Sequence, residues 1–470
     1  MVSKVWRVRF APSSKNQPLP ADSSAGKTPS IASPHPEIPA LRRQAKSKAA
    51  CQECKLRRVK CDERYPVCGH CERRGAVCKP APPKSIWKLE MPLLIQQAFT
   101  KDDGTSYSML LQYYFERVCH IMVLDPEHSH NPLSLPLLHL FNQSSALLHV
   151  VQSIAAAHKN GFRHSDNLTE CLVERKHALV YMQQELFQAR KHPVATFLAI
   201  FLLGISSPWI EESMGLEHLI GARDVIDLLL NDPAIHPSDP TMQLIIGLYI
   251  WWEMASSFSL NHTRQRPLDA GVIYEAVQAN QQQYHPLAGY SLGLFHIVAN
   301  LNHYCRRIVD GEVHDHRVEA SLEEQLLSWI PNQENELSFL LSDAYRQHGL
   351  IQLHRICGPS EGQSEQENED LIQQRAAEAM NSLLQIPLTS SYLNFQPIPL
   401  LSAASEIPAD NPKQRQEVRS RFKALYSLNN LPVMLDAIDL LEEIWELRPL
   451  GITTPWLVIV HERGQMFPLA

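Results

Sequence analysis

Apolar positions along most of the chain return every three or four residues, the spacing that lays one face of an α-helix against a core. Leu111, Tyr114, Phe115, Val118 and Met122 form one stripe, Leu147, Val151, Ile154, Ala155 and His158 a second, and Leu219, Ala222, Ile226 and Leu230 a third. Glycine and proline punctuate the gaps, and the strict alternation that marks a half-buried strand is nearly absent. The pattern predicts helix after helix from about residue 105 to residue 470, a mainly α fold. No fixed repeat period is visible, which disfavours a regular solenoid.

Two apolar segments need separate weighing. Residues 193–210 are uncharged and near the length of a bilayer span. Ser206, Ser207 and Pro208 are expected to shorten that helix, so the segment reads as a buried core helix with no membrane as partner. In residues 433–449, Met434, Ile438, Leu441 and Trp445 make one helical stripe with Asp439, Glu442 and Glu446 opposite. Acidic residues among large apolar ones also suit an activation segment, but the stripe favours structural core.

The pattern fails at the start of the chain. Residues 10–40 are rich in proline and serine and poor in large apolar groups, a composition that predicts disorder. After residue 78 comes an extended proline linker, KPAPPKS. Ile86, Leu89 and Leu93 begin a heptad that Gln96 breaks within two turns, too short for a zipper.

Charge singles out the stretch between these two regions. Arg42 to Lys84 holds 13 Lys and Arg against the four acids Glu53, Asp62, Glu63 and Glu72, a formal +9 within a chain of net −7, which leaves −16 for the rest. Basic charge gathered in one place is the footprint of phosphate contact. The run LRRQAKSK, residues 41–48, suits a nuclear import signal or a phosphate-gripping arm.

The same stretch carries the chemistry. Cys51, Cys54 and Cys61 reappear 17 residues later as Cys68, Cys71 and Cys78, a doubled C-x2-C-x6-C unit. Thiolates suit a borderline-soft ion, and structural zinc takes four ligands. Two zinc ions need eight ligand positions from six thiols, so two cysteines must bridge, and the repeat points to the first of each half, Cys51 and Cys68. About thirty residues cannot bury a stabilising core, so metal must supply the folding energy. A single four-cysteine site would leave Cys61 and Cys78 idle, and a disulfide framework would need an export signal that MVSKVWRVRF lacks. Cys119, Cys171, Cys305 and Cys357 lie scattered in apolar surroundings and read as buried structural thiols.

Residues 51–78, CQECKLRRVKCDERYPVCGHCERRGAVC, resemble the fungal binuclear zinc cluster, the six-cysteine DNA-binding module of fungal transcription factors. The match includes every ligand, the basic run, Asp62 after the third cysteine and Pro66 in the connecting loop. The resemblance implies a short helix opening each half, the first entering the major groove over a CGG-like triplet. It places base contacts on Arg57 and Arg58, although the family commonly has lysine where Arg58 stands. Lys55, Lys60, Arg73 and Arg74 then read as phosphate contacts, and Gly75 as the left-handed stop of the second helix. Segments 131–160, 216–230 and the ending PWLVIVHERGQMFPLA are similar to the second fungal-specific transcription factor domain, an all-helical regulatory region.

The expected organisation is a basic disordered arm (1–49), a zinc-cluster module (50–79), a linker (80–104) and an all-helical regulatory domain (105–470). The expected function is nuclear, sequence-specific regulation of RNA polymerase II transcription, more as activator than repressor. Two zinc ions, duplex DNA and the transcription machinery or coactivators are its cofactors and partners, with homodimerisation left open. The alternative is a scaffold whose zinc module binds protein or RNA. An enzyme is not expected. GYSLG (289–293) fits the nucleophile elbow around Ser291, but His285 and Pro286 precede it where a strand is required. The histidines of HSH (128–130) and HDH (314–316) read as solvated loop residues without neighbouring ligands.

Overall fold

The second and third apolar stripes each become an α-helix with the striped face inward. The structure, a computed structural model, describes residues 50–80, 105–127, 130–162, 168–188, 191–211, 213, 215–264, 266–269, 271–360, 362–464, 467 and 469. The segment 10–40, the basic run 41–48 and the broken heptad of Ile86, Leu89 and Leu93 lie outside these residues.

Two short helices come first, α1 (Gln52–Leu56) and α2 (Gly69–Arg74). The larger body runs through α3 (Thr105–Tyr113), α4 (Leu137–Leu140), α5 (Ser145–Asn160), α6 (Thr169–Glu185), α7 (Pro193–Ile210), α8 (Leu216–Leu230) and α9 (Pro240–Ser256). It continues with α10 (Gly271–Asn280), α11 (Leu292–Val309), α12 (His316–Ser328), α13 (Glu336–Cys357) and α14 (Glu365–Gln385). It ends with α15 (Pro397–Ser405), α16 (Pro412–Asn429), α17 (Val433–Leu447) and α18 (Trp456–Glu462). Among the described residues there is no strand, and an isolated bridge joins His285 to Gly289. The fold is mainly α, a small module followed by a large helical domain.

One apolar core spans the helical domain from Leu110 to Leu469. In α5, Leu147, Val151, Ile154 and Ala155 are fully buried, and His158 joins them as a neutral ring: burial and the nearby Arg117 draw its pKa down to about 4, and Tyr113 hydrogen-bonds its Nδ1 at 2.9 Å. The first stripe departs from a plain helix. After α3 the chain winds as a π-helical turn over Tyr114–Val118, where the Cys119 N–H donates to the Tyr114 carbonyl five residues back at 3.1 Å. Tyr114, Phe115 and Val118 stay buried through the wider turn.

The expected shortening of the 193–210 helix does not occur. α7 runs through Pro208 to Ile210 and, although long and apolar enough to cross a membrane, has 83 % of its residues buried inside the protein. Its polar end is satisfied internally. Ser207 Oγ donates to the Leu203 carbonyl at 2.9 Å, and the buried Arg175 guanidinium of α6 donates to that same carbonyl at 2.7 Å and to Ser206 and Ser207 at 2.9 and 2.6 Å. These bonds hold Ser206, Ser207 and the Leu203 carbonyl inside the protein beside Pro208, whose missing N–H leaves the Gly204 carbonyl without its helical donor. The 433–449 stripe forms α17 with Met434, Leu441 and Trp445 buried, Ile438 half-buried, and Asp439 and Glu446 exposed.

Candidate metal centre and nucleic-acid interface

The 17-residue sequence repeat is also a backbone repeat. Cys51 caps α1 and Cys68 caps α2, their sulfurs accepting the Cys54 and Cys71 N–H groups at 3.3 and 3.4 Å. Each helix then closes alike: Val59 N–H donates to the Cys54 carbonyl at 3.1 Å, and Ala76 N–H to the Cys71 carbonyl at 3.0 Å. The residue before each closing bond is left-handed, Arg58 with φ +58° and Gly75 with φ +60°. Gly75 suits that conformation because it has no Cβ to clash. Arg58 adopts it at a cost of roughly 1–2 kcal/mol.

This repeat converges six buried thiols. The sulfurs form two sets of four, Cys51, Cys54, Cys61 and Cys68 in one and Cys51, Cys68, Cys71 and Cys78 in the other, each within 4.8 Å. Cys51 and Cys68 belong to both. Sulfur–sulfur separations of 3.7 Å for Cys51 to Cys68, 3.8 Å for Cys51 to Cys71 and 3.7 Å for Cys54 to Cys68 match the edge of a zinc–thiolate tetrahedron, roughly 3.8 Å for bonds of about 2.3 Å. Burial and neighbouring thiols push Cys54 and Cys71 well up, and burial takes Cys78 up to about 12. At Cys68 burial acts the same way but is outweighed by hydrogen bonds from Cys71, Cys54 and Cys51, which draw it down to about 7. Such crowded thiols are relieved when a divalent cation takes the place of their protons.

Around this core the two halves differ. Lys55, Leu56, Arg57, Arg58 and Lys60 are all exposed, and Arg57, Arg58 and Lys60 hold no ion pair among the described residues. Arg73 and Arg74 are exposed too, but Arg73 Nη2 lies 3.4 Å from His70 Nδ1, and Arg64 pairs with Glu72 at 3.2 Å. The second half also meets the helical domain. Lys423 of α16 donates to the Gly75 carbonyl, Lys79 lies 5.5 Å from the centre of the Tyr426 ring, and Val67 packs against the main core. Among the described residues, Arg57, Arg58 and Lys60 take no part in these contacts.

Asp62 has a role that its place after the third cysteine did not reveal. Its carboxylate accepts the Gly69 N–H at 3.0 and 3.1 Å at the start of α2, tying the two halves together. Any Cβ at Gly69 would meet Asp62 Oδ2 at 2.6 Å, so a larger residue there would have to displace the carboxylate. The equivalence of Arg58 and Gly75 was available from the spacing of 17. The contacts of Lys423 and Tyr426 were not, since nothing local marks them.

Other candidates resolve differently. Ser291 caps α11, is buried, and bonds Ser342 Oγ at 2.5 Å, in a helical setting without the strand a nucleophile elbow needs. His128 lies outside the described residues, and His130 pairs with Asp125 at 3.0 Å. The 314–316 histidines are exposed, as expected, but not without neighbouring ligands. His316 opens α12, both rings reach Glu319 one turn on at 2.8 and 2.9 Å, and Tyr304 of α11 bonds the same carboxylate at 2.8 Å. Cys119, Cys171 and Cys305 are buried as expected, whereas Cys357 is half-buried at a helix end beside that cluster.

Comparison with known proteins accords with this geometry. The fungal Zn(2)-Cys(6) binuclear cluster domain matches residues 49–88, and the fungal specific transcription factor domain matches residues 109–470. A Zn(2)-C6 fungal-type transcription factor of Gibberella zeae is 46 % identical over 41 residues, 9 % of this chain and 8 % of the relative. The Zn(2)-C6 fungal-type transcription factor afumD of Aspergillus fumigatus is 58 % identical over 33 residues, 7 % of this chain and 9 % of the relative. The likeness to these two relatives thus covers less than a tenth of their length. No solved structure matches the chain. A cluster of this kind binds two zinc ions, and the six close cysteines fit that cofactor. Because one family match spans residues 109–470 and the zinc-cluster match lies directly before it, this chain belongs to the Zn(2)-Cys(6) fungal transcription factors.

Proposed function

We propose that this chain acts in the nucleus as a sequence-specific activator of RNA polymerase II transcription, reading a CGG-type triplet through the first half of its zinc cluster. Cys51 and Cys68 bridge the two ions, Cys54 and Cys61 complete one, and Cys71 and Cys78 the other. The observation that carries the reading is the asymmetry of two halves with one backbone: the first presents exposed Arg57, Arg58 and Lys60 with no ion pair among the described residues, while in the second Arg73 lies against His70 and the Gly75 carbonyl accepts from Lys423 of the helical domain. Arg57 caps the end of α1 and Arg58 follows it, so both side chains leave the same helix end. Either can offer two donors to O6 and N7 of guanine, worth about 1–3 kcal/mol of discrimination. Lys55, Lys60, Arg73 and Arg74 grip phosphates and set orientation. The helical domain recruits the transcription machinery or a coactivator.

Full-length protein is expected to prefer a CGG-containing duplex over a scrambled one, with affinity falling steeply with salt. Lys55→Ala is expected to weaken every duplex alike and flatten the salt slope by about one unit, while Arg58→Ala erodes the preference itself. Fluorescence anisotropy across a salt series separates the two. Equal affinity for both duplexes would favour the scaffold alternative, and equal effects of the two substitutions would end the division of labour.

The strained backbone at Arg58 gives a sharper test. Glycine is the residue its counterpart uses, so Arg58→Gly is expected to leave the module as stable or about 1 kcal/mol more so while CGG affinity falls about 5-fold to 150-fold. Chelator competition measures the first quantity and anisotropy the second. A variant that binds DNA like the parent would remove Arg58 from the reading surface.

A further inference from the structure

Outside the six-cysteine module, metal-ligating side chains meet where α11, α12 and α13 come together. His314 Nδ1 lies 2.8 Å from Glu319 Oε1, and His316 Nδ1 lies 2.9 Å from Oε2 of the same carboxylate. Cys357, the last residue of α13, completes the group: its sulfur, a His314 ring nitrogen and a Glu319 oxygen all lie within 4.8 Å of one another. The group is held by residues that are not ligands. Tyr304 of α11 donates to Glu319 Oε1 at 2.8 Å and accepts the Asp315 N–H at 2.8 Å, and Asp315 in turn caps α12.

Two imidazoles on one carboxylate are accounted for by ordinary ion pairing. The thiol comes from a residue 38 positions beyond Glu319 that ends a different helix, and it adds a soft donor to the pair while hydrogen-bonding Cys305 and Glu319. Burial opposes ionisation of Glu319, but hydrogen bonds from His314, Tyr304 and His316 outweigh it and hold the carboxyl below its usual range. Cys357 is pushed well up, first by its hydrogen bond with Cys305 and then by burial, so it keeps its proton unless a cation displaces it. Imidazole, carboxylate and thiolate together are a donor set suited to zinc, with bonds of about 2.0–2.3 Å. Donors around such an ion stand roughly 3.3–3.8 Å apart, so His314 and Glu319, now in hydrogen-bond contact at 2.8 Å, must part slightly to admit it, and the Cys357 sulfur, within 4.8 Å, must close by up to about 1 Å. The His314 side chain is 39 % exposed and free to swing that far.

We propose that His314, Glu319 and Cys357 form a third site for a divalent cation of the zinc type, with water in the fourth position and His316 orienting Glu319 through its second oxygen. Bound there, the ion would tie the start of α12 to the end of α13 within the helical domain. This site is independent of the six-cysteine cluster.

Native mass spectrometry of the reduced full-length chain, saturated with zinc and exchanged into metal-free buffer, tests it by difference. His314→Ala and Cys357→Ser are each expected to hold one ion fewer than the parent at unchanged helix content by circular dichroism. In a Cys51→Ala background, which removes the cluster's contribution, one ion is expected to remain and to be lost with His314→Ala. Equal ion counts in the parent, His314→Ala and Cys357→Ser would overturn the proposal. If Cys357→Ser loses helix content, His314→Ala alone decides, because its exposed ring bears little of the fold.

Discussion

Replacing Cys51 by alanine is expected to release both zinc ions of the cluster, unfold residues 50–80 and abolish DNA binding. The sulfur of Cys51 lies in both four-cysteine sets, so its loss leaves each ion with three ligands at once. Its second role is lost too, since that sulfur caps α1 by accepting the Cys54 N–H. Structural zinc supplies about 10–16 kcal/mol in small modules, far more than so short a chain gains from its own burial. Cys61 belongs to a single set, so Cys61→Ala is expected to spare the ion held by Cys51, Cys68, Cys71 and Cys78 at least in part. Zinc counted per chain, beside circular dichroism of the full-length protein, reads both effects. The helical domain has its own core and should keep its signal. A Cys51→Ala chain that holds both cluster ions, or a Cys61→Ala chain indistinguishable from it, would refute the bridging assignment.

The contrast between those two cysteines was legible before any coordinates, because a spacing of 17 is a statement about local chain and local chain is what short metal modules are made of. The same holds for the stripes of α5, α8 and α17, where a period near 3.6 carries the information and burial follows from it. What local pattern could not carry is the partner of a polar residue from elsewhere. Pro208 and its serines read as a helix end because Arg175, some thirty residues earlier, was not visible as the group that satisfies them. His314 and His316 are exposed, and their partner Glu319 lies within five residues along the chain, but Cys357 joins His314 and Glu319 only where the end of α13 meets the start of α12. The π-helical turn at Tyr114 keeps the same faces buried that an α-helix would, so periodicity alone cannot distinguish the two.

Glu406→Gln is expected to be among the most destabilising single changes in the helical domain, about 3–5 kcal/mol, although it preserves volume. Glu406 is buried at the end of α15, where Arg355 of α13 and Arg448 beyond α17 both reach its Oε2 at 2.5 Å. Arg355 also pairs with Glu369 of α14 at 2.5 Å, so one carboxylate joins four elements and balances two guanidinium groups whose side chains are only 7 % and 11 % exposed. The amide removes that negative charge and turns donors toward donors, leaving two cations facing each other with Glu369 as the remaining carboxylate. Glu442→Gln is the matched control: its partner Arg419 is more exposed, and an exposed pair contributes about 0–1 kcal/mol. Urea unfolding of the full-length chain measures both, and a cost at Glu406 no larger than at Glu442 would refute the argument. Because Glu406 lies in the helical domain and the zinc module takes its folding energy from metal, duplex binding should survive the substitution. Reporter output should fall if that domain is what engages the transcription machinery, and binding and output would then separate in one variant.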